Sequence, residues 1–236
     1  MPKPTFAFLA AALVAATPLG AAAQDQPAET PAATVPATPP ATPAQPVYGK
    51  VDYDLSAERE NILLLDLSNG QRVAIRLMPS WAPAHVARVK ELARTGFYDG
   101  VIFHRVIDGF MAQTGDPTGT GQGGSPLPDL AAEFNPMPHV RGTVSMARAA
   151  AEDSANSQFF IVFYPRFSLD KKYTNFGRVI AGMDAVDAIN RGEPPANPTR
   201  IVQASIASDN RPAPAFQPIA PTGGVTTEDL NAPIGS

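Results

Sequence analysis

The chain has 236 residues, a formal net charge of −4, 26 prolines and no cysteine. Without cysteine there is no disulfide, no thiolate nucleophile and no thiol to lipidate. Residues 48–206 hold 16 of the 18 Lys and Arg and 17 of the 22 Asp and Glu, so that stretch lacks the basic excess that nucleic acid or an anionic membrane requires.

The N-terminus reads as a secretory leader. Lys3 precedes an apolar run from Phe6 to Ala16, and Ala21-Ala22-Ala23 is the small-x-small pattern a signal peptidase cuts. Residues 1–23 are expected to be a signal peptide cleaved after Ala23. A permanent span needs about 20 apolar residues, so the mature protein is expected to be exported, without a membrane span. Residues 24–47 carry Pro, Ala, Thr and Gln with no Lys or Arg, and read as an extended linker. Residues 207–236 are Pro-rich with little to bury and read as a mostly disordered tail.

Between these ends the patterning is globular. Asn61–Leu67 and Arg72–Leu77 flank Ser68-Asn69-Gly70, a hairpin signal. Pro83 opens a helix whose Val86, Val89 and Ala93 share a face, and Gly96 stands where a C-terminal cap belongs. Val101–Asp116 holds two β-rich runs around Asp108-Gly109, and residues 115–138 are Gly- and Pro-rich loop. Further strands are expected at Gly142–Ala147, Ser157–Phe163, Thr174–Ile180 and Thr199–Ile206, with a short helix through Met183, Val186 and Ile189, closed by Gly192. About eight short strands with two helices predict a mainly β domain over 48–206, a closed or nearly closed antiparallel barrel.

Chemistry concentrates in Val101–Asp116. Arg105 sits in a run of Val, Ile and Phe, where a buried stem is costly unless its head group meets a protein acceptor or a ligand. Other signals fail. Gly119-x-Gly121-x-x-Gly124 spells the dinucleotide fingerprint, but Pro117 precedes it and Pro126 and Pro128 follow, where a strand and a helix are required. His85, His104 and His139 are dispersed and lack cysteine partners, so no metal site is expected. No Gly-x-Ser-x-Gly elbow is present, and Ser145 and Ser157 have no base nearby in sequence.

Four blocks, Phe103-His104-Arg105, Gly109-Phe110-Met111-x-Gln113-x-Gly115-Asp116, Ser145-Met146-Ala147 and Ser157-Gln158-Phe159-Phe160-Ile161, together resemble the cyclophilin family of peptidyl-prolyl cis-trans isomerases. Phe176-Gly177-Arg178-Val179 and Gly182-Met183 are similar to that family's closing strand and second helix. The resemblance covers about residues 61–206 and implies a closed eight-stranded antiparallel barrel capped by two α-helices, with the substrate groove outside and no cofactor. It implies that Arg105 is the catalytic arginine with His104 beside it, and that Gln113 orients the arginine and the peptide. It makes Phe110, Met111, Phe160 and Leu169 the walls of the proline pocket, Phe160 counting with the catalytic set. Ala147 and Gln158 then line the peptide's path, Gly121–Gly124 its rim, and Tyr173 offers a ring and hydroxyl beside the pocket.

Three positions depart from the family's usual pattern: Arg148 stands where Asn is common, Ser168 where Trp is common and Tyr173 where His is common. The lost Trp wall bears on cyclosporin-type inhibitors more than on catalysis. A two-residue Asp108-Gly109 turn would put Gln113 on the face opposite Arg105. The implied roles need both on one face, so a bulge or longer turn near 107–110 is expected.

The expected activity is isomerisation of Xaa-Pro bonds in proline-containing peptides and unfolded exported proteins. The protein is expected to act as an exported monomer, in a periplasm or else secreted, without metal, cofactor or nucleic acid. The alternative is a proline-peptide binding module or holdase with little turnover; Arg105 together with Phe110, Met111, Gln113 and Phe160 favours the enzyme. Phe159 reads as core, His85 and His139 as surface or packing residues, and His104 stands evenly between groove and structure.

Overall fold

The computed structural model describes residues 47–215. The expected leader, the expected linker up to residue 46 and the expected tail beyond 215 lie outside the described residues.

Strands β1 (Ile62–Leu67) and β2 (Arg72–Leu77) form the first hairpin, closed by a bond from Leu67 N to Gln71 O of 2.8 Å, with Gly70 at φ 81° in the turn. Helix α1 (Pro83–Arg94) starts at its proline as expected, because the missing N–H is one the first turn cannot use anyway. Its N-cap residue, Ala82, has no side chain to cap with. The carboxylate of Glu133 does this instead, accepting from Ala84 N and His85 N at 3.1 Å each.

Strands β3 (Arg105–Ile107), β4 (Met111–Thr114), β5 (Thr143–Met146), β6 (Phe159–Val162), β7 (Asn175–Ala181) and β8 (Ile201–Ile206) complete the sheet, with α2 (Met183–Asp187) before β8. All neighbours pair antiparallel, in the order β3-β4-β6-β5-β7-β2-β1-β8. The sheet curls around one apolar core. Leu63, Leu65, Val73, Ile75, Phe159 and Phe176 fill it from the strands, and Val86, Val89, Leu92 and Val186 cover it from α1 and α2. Burying such side chains contributes roughly 1.5–3 kcal/mol each.

Mainly β architecture, eight antiparallel strands and two helices are as expected among the described residues; barrel closure is not. β3 and β8 end the ladder, and the chain just before β3 meets the approach to β8 through the isolated bridge Ile102↔Arg200 and a bond from Gly100 N to Ile201 O rather than through a strand ladder. The result is an open, curled half-barrel. The reason lies in the approach to β8: Pro194, Pro195 and Pro198 have no N–H to extend a ladder beyond the bond from Phe103 N to Thr199 O. The chain diverges there and returns at Gly192, which bridges Val106. Past β8, Ala207–Asp209 form a 3-10 turn, and Asp209 takes both Arg94 Nε and Nη2 at 3.0 and 3.1 Å.

Candidate active site

β3 and β4 pair as Arg105↔Gln113, Val106↔Ala112 and Ile107↔Met111. Their connection is the three residues Asp108-Gly109-Phe110, with Gly109 at φ 66° and Phe110 N donating to Ile107 O at 3.0 Å. This is the longer turn that a shared face for Arg105 and Gln113 demands. The row continues through Gln113↔Phe160 and Ser145↔Phe160, so Arg105, Gln113, Phe160 and Ser145 cross four neighbouring strands on the outer face. The alternate residues Val106, Ala112, Phe159 and Ile161 belong to the core inside. Outside, Met111, Phe160 and Val162 form a second apolar cluster with Ile107, Phe110, Ala147, Leu169 and Tyr173 against it.

A cavity of about 250 Å³ opens in that cluster, lined by Arg105, Phe110, Met111, Gln113, Ala147, Arg148, Phe160, Leu169 and Tyr173. Tyr173 stands edge-on to Phe160 with centroids 5.7 Å apart. The Arg148 guanidinium covers Tyr173 at 4.8 Å and donates to the carbonyls of Ala149, Ala150 and Lys172. Arg148 thus ties two loops over the cavity with its charge met by neutral acceptors. A second, more polar cavity of about 550 Å³ shares Gln113, Ala147 and Arg148 and extends to Gly121–Ser125, Asn156 and Gln158. Gln113 Nε2 donates to Gln158 Oε1 at 2.9 Å, and Gln158 Nε2 reaches Gly121 O and Gly123 O at 3.1 and 2.7 Å. Gln158 therefore both lines the second cavity and satisfies backbone groups of its rim.

The Gly-rich rim explains its own misleading motif. Its backbone makes an anion nest, and the anion is a side chain of this protein: Asp116 accepts from the N–H groups of Thr118, Thr120, Gly121 and Gly123 at 2.6–3.1 Å. A Cβ on Gly123 would lie 2.1 Å from Asp116 Oδ1, so only glycine fits. Burial by itself would raise the Asp116 carboxyl, but hydrogen bonds from Thr118 Oγ1, Thr118 N, Gly123 N and Gly121 N outweigh it and hold it at about 2. A carboxyl depressed in the folded state contributes stability that is complete above its unfolded value, about 3.9, and is lost as pH falls through the folded value. With some screening by water around the loop, the contribution is about 1–2 kcal/mol. The unfolding free-energy difference between wild type and Asp116→Asn should shrink by that amount between pH 5 and pH 2. A difference constant with pH would refute the nest.

His104 is buried behind this rim, with Gly121 over its ring, and lines neither cavity. Burial lowers its pKa below the usual imidazole value, Asp116 opposing only in part, so the ring is neutral. His104 lies just before β3 and is buried, while Arg105, the first residue of β3, lines the outer cavity. His139 is wholly buried and stacks on Phe160 at 6.4 Å. Its Nδ1 donates to Asp170 Oδ1 and its Nε2 accepts from Ser145 Oγ, both at 2.8 Å. The geometry is that of a Ser-His-Asp triad, but Ser145 has no exposed surface, so no substrate reaches it. The chain of bonds braces Phe160 from behind. His85, also buried, lies 2.6 Å from Glu133. Among the described residues no cluster of three or more His, Asp or Glu could hold a metal.

One group the sequence does not single out meets the arginine. Arg105 Nε donates to Glu193 Oε2 at 2.8 Å, its sole hydrogen-bond partner among the described residues. Gln113 stands opposite Arg105 in register but bonds Gln158 instead. The sequence signal was an acid between Gly192 and Pro194-Pro195, with nothing local to aim it at β3.

The arrangement is a cavity walled by Phe110, Met111, Phe160, Leu169 and Tyr173 with the guanidiniums of Arg105 and Arg148 at its edge, on the outside of a curled eight-stranded sheet. The cyclophilin type peptidyl-prolyl cis-trans isomerase/CLD family matches residues 63–206. A "Probable peptidyl-prolyl cis-trans isomerase" of Brucella suis biovar 1 (strain 1330) is 47% identical over 179 residues, covering 69% of this chain and 91% of the relative. "Peptidyl-prolyl cis-trans isomerase B" of Bacillus subtilis (strain 168) is 42% identical over 128 residues, covering 54% of this chain and 89% of the relative. Among solved structures, cyclophilin AquaCyp293 from Hirschia baltica superposes with a TM-score of 0.61 at 31% identity, covering 66% of this chain and 77% of that one. A cyclophilin type isomerase of Cryptosporidium parvum, crystallised in the presence of the dipeptide Ala-Pro, gives a TM-score of 0.57 at 29% identity, covering 61% of this chain and 98% of that one. With more than half of its length matched by the family and its relatives named for one activity, the chain belongs to the cyclophilin family of peptidyl-prolyl cis-trans isomerases.

Proposed function

We propose that the outer groove carries the isomerase reaction, with Arg105 stabilising the twisted amide and the cavity of Phe110, Met111, Phe160 and Leu169 holding the prolyl ring. The juxtaposition of that guanidinium with those apolar walls in one cavity supports the reading. Amide resonance sets a barrier of about 18–20 kcal/mol to rotation. At the perpendicular geometry resonance is lost and the proline nitrogen regains a lone pair that accepts a hydrogen bond. A guanidinium N–H directed there binds the transition state better than the planar ground state, which is what lowers a barrier. The apolar walls exclude water that would favour the planar, more polar amide. No proton moves and no covalent intermediate forms.

The Cryptosporidium parvum relative's crystals with Ala-Pro favour a proline dipeptide as the minimal ligand of the same groove here. The leader-like residues 1–23 make exported proteins, folding in a periplasm, the proposed clients. Among the described residues no helix is long and apolar enough to cross a membrane.

The test is a titration of ¹⁵N-labelled protein with an Ala-Pro-containing peptide, with exchange spectroscopy on the peptide. Amide shifts centred on Gln113, Ala147, Phe160 and Tyr173 and saturable acceleration of cis-trans exchange are expected. Shifts elsewhere would refute the site; binding here without acceleration would make the groove a recognition module.

A further inference from the structure

The backbone delivers Glu193 to the arginine. Val106 and Gly192 form an isolated antiparallel bridge, exchanging bonds of 2.8 and 2.9 Å. In that register residue 105 faces residue 193, so the two side chains leave the bridge on the same side. Gly192 is required there: its φ is 143°, and a Cβ would stand 2.5 Å from Pro195 Cα. The far side of the loop is clasped by Asn190, whose Nδ2 donates to Asn197 O at 2.6 Å and whose N donates to Thr199 Oγ1 at 3.2 Å. Arg191 ties the loop to the hairpin turn through Asp108 Oδ1 at 3.3 Å and stacks its guanidinium 4.3 Å from the Phe163 ring. Glu193 is therefore held in place before any peptide arrives.

We propose that Glu193 is a positioning residue for the isomerase: it holds Arg105 through Nε and leaves both Nη groups for the peptide. This rests on the isomerase reading above. An arginine has several rotatable bonds, and a catalytic one must reach its geometry in the transition state without first losing that freedom. Binding at Nε fixes the plane of the guanidinium and leaves the Nη groups, without a hydrogen bond among the described residues, for a ligand of the cavity that Arg105 lines. The carboxylate also weakens the positive field at the site. With side-chain exposures of 42% for Arg105 and 52% for Glu193, water screens that loss, whereas the orientation persists. Gln113 spends its Nε2 on Gln158, and among the described residues its side chain makes no hydrogen bond to Arg105.

Exchange NMR on an Ala-Pro peptide with wild type, Glu193→Ala and Glu193→Gln tests this. The alanine variant should lose about 10-fold in kcat with peptide Kd within about 2-fold of wild type. Glutamine keeps a neutral acceptor for the Nε–H and should restore most of the loss. The Arg105 Nε–Hε resonance should move to the position of free arginines in the alanine variant and stay near wild type in the glutamine variant. Because the pair is half exposed, both variants should melt within about 3 °C of wild type, so lost activity will not reflect unfolding. Wild-type kcat in Glu193→Ala, a loss carried by Kd, a glutamine variant as slow as alanine, or an unmoved Arg105 resonance would each overturn the proposal. Failure of the isomerase reading looks different: wild type itself would not accelerate exchange, and the proposal would fall with it.

Discussion

Arg105→Ala should lower kcat/KM for an Xaa-Pro peptide by about 10²–10³-fold, the cost of removing one preorganised donor aimed at developing electron density. Peptide Kd should change by only about 2–4-fold, because the ring-binding walls Phe110, Met111, Phe160 and Leu169 are untouched. The split follows from the chemistry: the planar amide offers the guanidinium little, and only the twisted one presents a basic nitrogen. Arg105→Lys should fall between the two. An ammonium keeps the charge but loses the planar fork, so it cannot bind Glu193 on one edge and the peptide on the other. Thermal stability should barely respond, since half-exposed ion pairs contribute about 0–1 kcal/mol. Exchange NMR under saturating and subsaturating peptide reads both constants. Equal losses in kcat/KM and affinity would make Arg105 an anchor for the peptide; undiminished turnover would remove it from the mechanism.

The largest stability effect is expected at another arginine. Arg76 in β2 is 1% exposed and makes no ion pair with a carboxylate among the described residues. Its guanidinium donates instead to four backbone carbonyls: Asp52 O at 2.9 Å, Ala57 O at 2.8 Å, Glu58 O at 3.2 Å and Asp54 O at 2.6 Å. It clasps the segment that precedes β1 onto the sheet. Each charge-assisted bond contributes about 1.5–3 kcal/mol in isolation, but the released carbonyls belong to a largely exposed segment and can turn to water. Arg76→Met, which keeps the apolar stem, should therefore cost about 3 kcal/mol, well short of the sum. For a domain of this size that is a melting-temperature drop of about 6–12 °C. Since Arg76 lines neither cavity, kcat/KM measured well below the transition should stay at the wild-type value. A drop under about 2 °C would mean the clasp carries no net stability.

These two arginines mark the limit of what is legible in the chain. Both stand in apolar runs, and for Arg105 that placement demanded a partner. The resemblance in four short blocks then assigned it a reaction and required a turn of more than two residues, which the Arg105↔Gln113 register has. Neither argument could reach Glu193, which lies 88 residues away.

What the sequence by itself determined is what short-range physics governs. Alternation along Phe159-Phe160 sends one ring to the core and the next to the groove; Asn69-Gly70 turns the first hairpin; Pro83 starts α1. Each depends on residues within a few positions of one another, where steric preference and the two- or 3.6-residue period act directly. The tertiary structure alone decided the open edge between β3 and β8, the Glu133 cap on α1, the Asp170–His139–Ser145 brace behind Phe160 and the Glu193 hold on Arg105. Each joins side chains to partners that adjacency in the sheet or a returning loop brings close. Such pairs leave no periodic trace in the chain, because a carboxylate meets its guanidinium wherever the backbone hydrogen bonds of another segment place it.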